Sequence, residues 1–203
     1  MEINTWLLFV VASIGLSISP GPNGLLALAH GATHGPRKTI NTILGGTVGF
    51  TSIMALSMFG IGAVLQTSIG LLIVLKLLGG VYLIFLGIQL WLSPPINLKL
   101  SKNSALVSKS SMFKQGFLSS VTNPKVLLFF AAFLPQFITT KSSLVLQFII
   151  MALTFAVIEI ITEYLIASMA NRLRPWLSKV GKRFNQVCGG AFIGIGVALP
   201  LNS

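Results

Sequence analysis

The sequence predicts an all-α membrane protein whose six transmembrane helices form two inverted three-helix repeats. Three observations lead there. The 203 residues are 54% hydrophobic and only 8% charged, with a mean hydropathy of +0.89. A soluble domain carries roughly 25% charged residues, so this chain cannot cover a water-facing surface. The positive charges gather in a few inter-span segments. Finally, each half of the chain carries a polar, proline-containing break in its first apolar segment.

A spanning helix needs about 20 mostly apolar residues. Residues 3–36, 39–75, 77–98 and 184–203 carry no charge. The predicted spans are 4–29, 40–65, 70–92, 116–137, 144–169 and 186–202. A transmembrane barrel would alternate in polarity, and helices satisfy their own backbone groups in lipid. The start, Met1-Glu2, lacks a basic leader region, and no A-x-A-like site follows. The first span is therefore expected to be retained in the mature protein. The single cysteine, Cys188, allows no intrachain disulfide and reads as a packing residue.

The net charge of +11 would by itself suggest an anionic partner. Its placement says otherwise. Arg37 and Lys38 fall between spans 1 and 2, Lys99, Lys102, Lys109 and Lys114 between spans 3 and 4, and Arg172, Arg174, Lys179, Lys182 and Arg183 between spans 5 and 6. The opposite side holds only Glu2 and Lys141. The positive-inside rule puts the basic loops in the cytoplasm and both termini outside. No nucleic-acid partner is implied. Lys76, Lys125, Glu159 and Glu163 remain within apolar spans and cancel in charge. Ionisable groups at that depth usually mark a pathway or a pair.

The stretch 93–115 opens with Ser93-Pro94-Pro95 and is rich in Ser and Lys, the composition of a cytoplasmic linker. It divides a single transporter domain, 1–203, into halves 1–92 and 116–203. Three spans per half give the halves opposite orientations, as in inverted-repeat transporters, where paired interrupted segments point to the binding site. The pair here is Ser19-Pro20-Gly21-Pro22-Asn23 and Asn123-Pro124-Lys125.

Pro20 and Pro22 lack N–H donors and clash with the preceding turn, while Gly21 adds freedom. Carbonyls before the break lose partners, and the N–H groups after Asn23 open a half-helix that can receive an anion. Freed carbonyls can accept from an ammonium group, and the Asn23 amide can serve either end of a zwitterion. Asn123 suits an N-cap with Pro124 at the first helical position. Lys125 then places a cation in the first turn, against the helix dipole unless an anion is near. It either contacts substrate or snorkels to the headgroups. Lys76, near the outer end of its span, is expected to snorkel outward.

Glu159 and Glu163 are four apart and share a helical face. Like charges repel and burial disfavours ionisation, so at least one is expected to be protonated or paired. A carboxyl that gains and loses a proton suits proton-coupled transport. Glu159 lies roughly 15 Å from the inner face and Glu163 roughly 9 Å, so Glu159 is the first candidate for proton coupling and Glu163 is either the second or a residue of the cytoplasmic mouth. The glycines at 45, 46, 49, 79, 80, 87, 189, 190, 194 and 196 read mainly as close-packing positions. His30 and His34 lack the acidic neighbours of a metal site, so neither metal nor cofactor is expected. No phosphate loop, G-x-S-x-G or HExxH motif suggests an enzyme.

The run Ser19-Pro20-Gly21-Pro22-Asn23, followed by Gly31, Gly35, Gly45 and Gly49, resembles the lysine exporter (LysE/RhtB) family of bacterial amino-acid exporters. So do LKLLGGVYLIFLGIQLW at 75–91, FKQGFLSSVTNPKVLLFFAAFLPQF at 113–137, the acidic position at Glu159 and the final GGAFIGIGVAL. The likeness covers nearly the whole chain. Members often carry Asp near position 159, whereas this chain has Glu159 joined by Glu163. The resemblance implies a bacterial inner-membrane exporter of amino acids driven by the proton gradient. Its expected partners are a small amino acid or derivative, protons and the bilayer, with a homo-oligomer allowed. In that picture the substrate carboxylate meets the half-helix ends and Lys125, and its ammonium meets freed carbonyls, Asn23 or Asn123, and Glu159. Two other readings stay open: an exporter of metal or other small ions, and a non-transporting membrane scaffold.

Overall fold

The structure is a computed structural model describing residues 3–19, 21–65, 69–94, 107–139 and 142–201. It is helical throughout, with no strand among the described residues. In chain order the helices are α1 (Ile3–Ile18), α2 (Pro22–His34), α3 (Pro36–Leu65), α4 (Ile69–Leu92), α5 (Lys109–Val121), α6 (Pro124–Phe133), α7 (Leu144–Ser168) and α8 (Ala170–Leu201), with a short 3-10 turn at Leu134–Gln136. Among the described residues, Pro36–Gly60 and Leu144–Ser168 are each long and apolar enough to cross a membrane. Helices α1 and α2 qualify together as one pair bent by 57°. Glu2, Pro20, Lys99, Lys102 and Lys141, and the side chains of Lys76, Gly79, Pro124, Lys125, Arg174 and Gly196, lie outside the described residues.

The segments predicted to span are largely helical, but three basic segments expected between them are wholly or partly helical as well. Gly35, at φ +79, alone separates α2 from α3. Its N–H donates to the Gly31 carbonyl at 3.1 Å, and Pro36 opens α3, where its missing N–H costs nothing. Arg37 and Lys38 therefore ride on the first turn of α3. Helix α5 starts at Lys109 because Ser108 caps it, its hydroxyl accepting from Ser111 N–H at 3.2 Å. Residues 109–115 thus belong to a helix. After one turn residue, Met169, the chain enters α8 directly, and Arg172, Lys179, Lys182 and Arg183 are exposed along it. At 1.5 Å per residue, α8 is about 48 Å long. That exceeds the roughly 30 Å thickness of a hydrocarbon core.

Contacts along the helices fix their relative directions. Trp6 Nε1 donates to Thr154 Oγ1 at 3.1 Å, Ser17 bonds Glu159, Asn23 bonds Glu163, and Gly31 abuts Ala167. The numbers rise together, so α1 and α2 run in the same sense as α7. Gly45 abuts Phe113 and Gly49 abuts Phe117, so α3 runs in the same sense as α5. Gly87 abuts Ile193 while Trp91 abuts Gly189, so α4 and α8 are antiparallel.

The core beside the bend is aromatic. Phe9, Phe129, Phe130, Phe133, Phe155 and Phe192 are fully buried. Phe133 meets Phe9, Phe129 and Phe137, while Phe155 takes Phe50 and Phe130 edge-on. Gln147 of α7 is buried and fully engaged. Its carbonyl accepts from Thr139 N–H, and its amide donates to the Thr139 and Ser142 carbonyls, each at 2.9 Å. That knot ties the segment after α6 to the start of α7.

Candidate functional site

The two proline breaks do not dissolve into ordinary kinks. Helix α1 stops at Ile18, and the Ser19 N–H still reaches the Gly15 carbonyl at 3.0 Å. Pro20 and Pro22 have no N–H to offer, so neither can bond a carbonyl one turn earlier. Gly21 is extended (φ −152, ψ 169) and caps α2 without a side-chain bond. Pro22 opens α2, and Leu25 N–H donates to the Gly21 carbonyl at 3.0 Å. In the second half, α5 ends at Val121. Asn123 N–H donates to the Ser120 carbonyl and the Asn123 carbonyl accepts from Val126 N–H, both at 3.1 Å. The chain thus turns at Thr122-Asn123 and resumes as α6 from Pro124.

These breaks and the glutamates of α7 meet in one cavity. Its walls are Leu16, Ser17, Ser19, Gly21, Asn23 and Gly24 from the first break, Asn123 and Val126 from the second, Phe155, Glu159 and Glu163 from α7, and Phe50 from α3. Asn23, Glu159 and Glu163 are 2%, 3% and 1% exposed, so both carboxyls lie inside the protein. The space is about 20 Å³, room for about one water. An amino acid would need the walls to part.

Each carboxyl is held from a different side of the first break. The Ser17 hydroxyl, in the last turn of α1, donates to Glu159 Oε2. The Asn23 amide, in the first turn of α2, donates to Glu163 Oε1 at 2.7 Å. Spacing places both partners: residues four apart on α7 are about 6 Å apart along its axis, and α1 and α2 pass alongside in the same sense. Asn23 Oδ1 and Glu163 Oε2 are buried with no hydrogen-bond partner. Glu159 and Glu163 face the same cavity. Of the two positions open to Glu163, the structure places it in the cavity with Glu159.

Of the residues singled out in the sequence, Ser19, Gly21, Asn23, Asn123, Glu159 and Glu163 all line this cavity. Pro22 is exposed at the start of α2 and acts on the backbone alone. Pro124 and Lys125 fall in the first turn of α6. Sequence reasoning missed Ser17, Phe50 and Phe155. A signal for Ser17 existed: Ser13 and Ser17 put two hydroxyls on one face of an otherwise apolar helix. Phe50 and Phe155 carried none, being two among 14 phenylalanines.

The histidines form a separate pair. His30 is buried, with Nδ1 2.7 Å from Thr42 Oγ1. Its ring meets that of His34 edge-on at 5.6 Å. Among the described residues no group of three or more His, Cys, Asp or Glu could hold a metal ion.

Comparison with known proteins points the same way. The LysE type translocator family matches residues 14–203. The chain is 29% identical to a homoserine/homoserine lactone efflux protein of Salmonella typhimurium, over 98% of this chain and 97% of that one. It is 32% identical to a leucine efflux protein of an Enterobacter species, over 97% and 95%. It is 28% identical to an uncharacterized membrane protein of Vibrio cholerae, over 98% of each. No solved structure matches. The chain belongs to the LysE type translocator family, membrane transporters rather than enzymes.

Proposed function

We propose that the protein exports a small amino acid or amino-acid derivative across the bacterial inner membrane by proton antiport. The observation that carries this is the convergence of both proline breaks with two buried carboxyls in one cavity. Relatives named for the efflux of homoserine, homoserine lactone and leucine support the substrate class. Ser19, Gly21, Asn23 and Asn123 contact substrate, Pro20, Pro22 and Pro124 hold the breaks open, and Lys125 serves the carboxylate end. Glu159 and Glu163 supply the buried carboxyls, at least one of which cycles a proton. Binding of an external proton there competes with substrate and links the two flows.

The membrane arrangement in this reading is six spans: α1 with α2, α3, α4, α5 with α6, α7 and α8. Alternating spans require the first and fifth to run alike, the second and fourth to run alike, and the third and sixth to oppose. The observed directions meet all three conditions. The order of broken helix, long helix, long helix occurs before Ser93 and again from Lys109, which supports inverted halves whose boundary lies between them. In this reading the 93–115 segment is cytoplasmic and both termini are periplasmic, which the distribution of basic residues supports.

The test is Glu159→Gln in proteoliposomes loaded with L-leucine or L-homoserine. Glutamine keeps an acceptor for Ser17 but cannot cycle a proton. Transport driven by a pH gradient is expected to fall at least about tenfold, while leucine–leucine counterflow persists. Gradient-driven transport at the wild-type rate would show that Glu159 does not couple the flows.

A further inference from the structure

We propose that Glu163 and Asn23 together form the subsite for the substrate's protonated amino group, leaving Glu159, with Ser17, as the carboxyl that exchanges the proton. This rests on the amino-acid reading above and divides two carboxyls that the sequence alone treats as a pair.

The inference starts from unsatisfied atoms. The Asn23 amide gives an N–H to Glu163 Oε1 at 2.7 Å. What remains on this pair is Asn23 Oδ1 and Glu163 Oε2, both buried and without a partner. Both side chains line the same cavity. Buried polar groups are almost always satisfied, and exceptions call for an explanation. With Glu163 ionised, an amide oxygen beside a carboxylate oxygen selects a ligand that brings N–H donors and positive charge. A primary ammonium brings three donors and a full charge, a hydroxyl one donor and no charge. A carboxylate would be repelled.

Position agrees with chemistry. The closed cavity is about 20 Å³, enough for one water-sized group. An ammonium head is of that size, so this end can receive it while the rest of the substrate lies toward Asn123 once the walls part. The Asn23 amide cannot retreat easily, because it lies directly against Gly46 of α3. Glu159 differs in already receiving the Ser17 hydroxyl.

The experiment compares L-leucine with L-2-hydroxy-4-methylpentanoate, which keeps the carboxylate and side chain but carries hydroxyl for ammonium. Counterflow is measured in proteoliposomes for wild type, Glu163→Gln and Glu163→Asp. Wild type is expected to prefer leucine by about tenfold or more, the discrimination of a charged hydrogen bond. Glu163→Gln is expected to bring the ratio near one, and Glu163→Asp to retain the preference at a lower rate. Where a variant no longer transports, ligand-induced thermal stabilisation of the detergent-purified protein reads the same ratio. A merely structural role would lower both rates together, and an unchanged ratio in Glu163→Gln overturns the assignment. So does a wild type that does not discriminate. If wild type moves neither leucine nor homoserine, the amino-acid reading itself fails and this subsite falls with it.

Discussion

At the residue scale, the site depends on how firmly one amide is held. Asn23 sits between the Glu163 carboxyl and the bare backbone of Gly46, where an added Cβ would collide with its amide nitrogen. Gly46→Ala should therefore push Asn23 off Glu163 without adding any polar group. The lost hydrogen bond to a charged or proton-sharing partner corresponds to about 1.5–3 kcal/mol, so leucine counterflow should fall by roughly tenfold or more while the purified protein stays folded. Wild-type counterflow with Gly46→Ala would mean that the amide position is unimportant. Asn23, Asn123 and the two glutamates were legible in the sequence because a polar group in an apolar span has few innocent explanations. Gly46 was legible only as a packing residue, since nothing in its spacing tells which neighbour it admits. Ser17 hid because a hydroxyl can satisfy itself on its own helix, as Thr47 and Thr51 do on α3.

At the element scale, α3 and α5 touch backbone to backbone. A Cβ on Gly116 would strike the Thr42 carbonyl, and one on Gly45 the Phe113 carbonyl. Neither obstacle is a side chain that could swing away. Gly116→Val should separate the helices and destabilise the protein by about 2 kcal/mol or more, in the range of core overpacking. Gly194 of α8 meets nothing within 4 Å, so Gly194→Ala should be neutral or stabilising by up to about 1 kcal/mol from helix propensity. Thermal unfolding in detergent separates the two cases, and equal melting temperatures would contradict this account. Hydropathy located the helical segments here but misjudged their ends. It registers the lipid-facing part of a helix and is blind to turns that continue into water. The basic stretch of α8 and the Ser108-capped start of α5 are helical although charged, because charge on an exposed face is no obstacle to a helix and only a cap or a glycine sets the boundary.

At the scale of the whole molecule, charge and direction make independent statements about topology. The basic residues of α3, α5 and α8 belong on one face if they are to avoid crossing the bilayer during insertion. The contacts say separately that α1 with α2 follows α7, that α3 follows α5, and that α4 opposes α8. Six alternating spans satisfy both. That arrangement puts Ser110 at the start of α5 and Lys182 on the basic half of α8 in the cytoplasm, and Ser143 at the start of α7 outside. All three are exposed. With Cys188 replaced by serine, Ser143→Cys should react with a membrane-impermeant maleimide in intact cells, whereas Ser110→Cys and Lys182→Cys should react only after permeabilisation. The opposite pattern would invert the protein and turn the proposed exporter's proton entry toward the cytoplasm. Labelling of Ser143→Cys and Lys182→Cys from the same side would be more damaging. An α7 joined to α8 through Met169 could not then be one of two consecutive spans, and the inverted halves would lose their basis. The experiment thus tests orientation and span count together, because one intramembrane helix, α7, must separate the two labels.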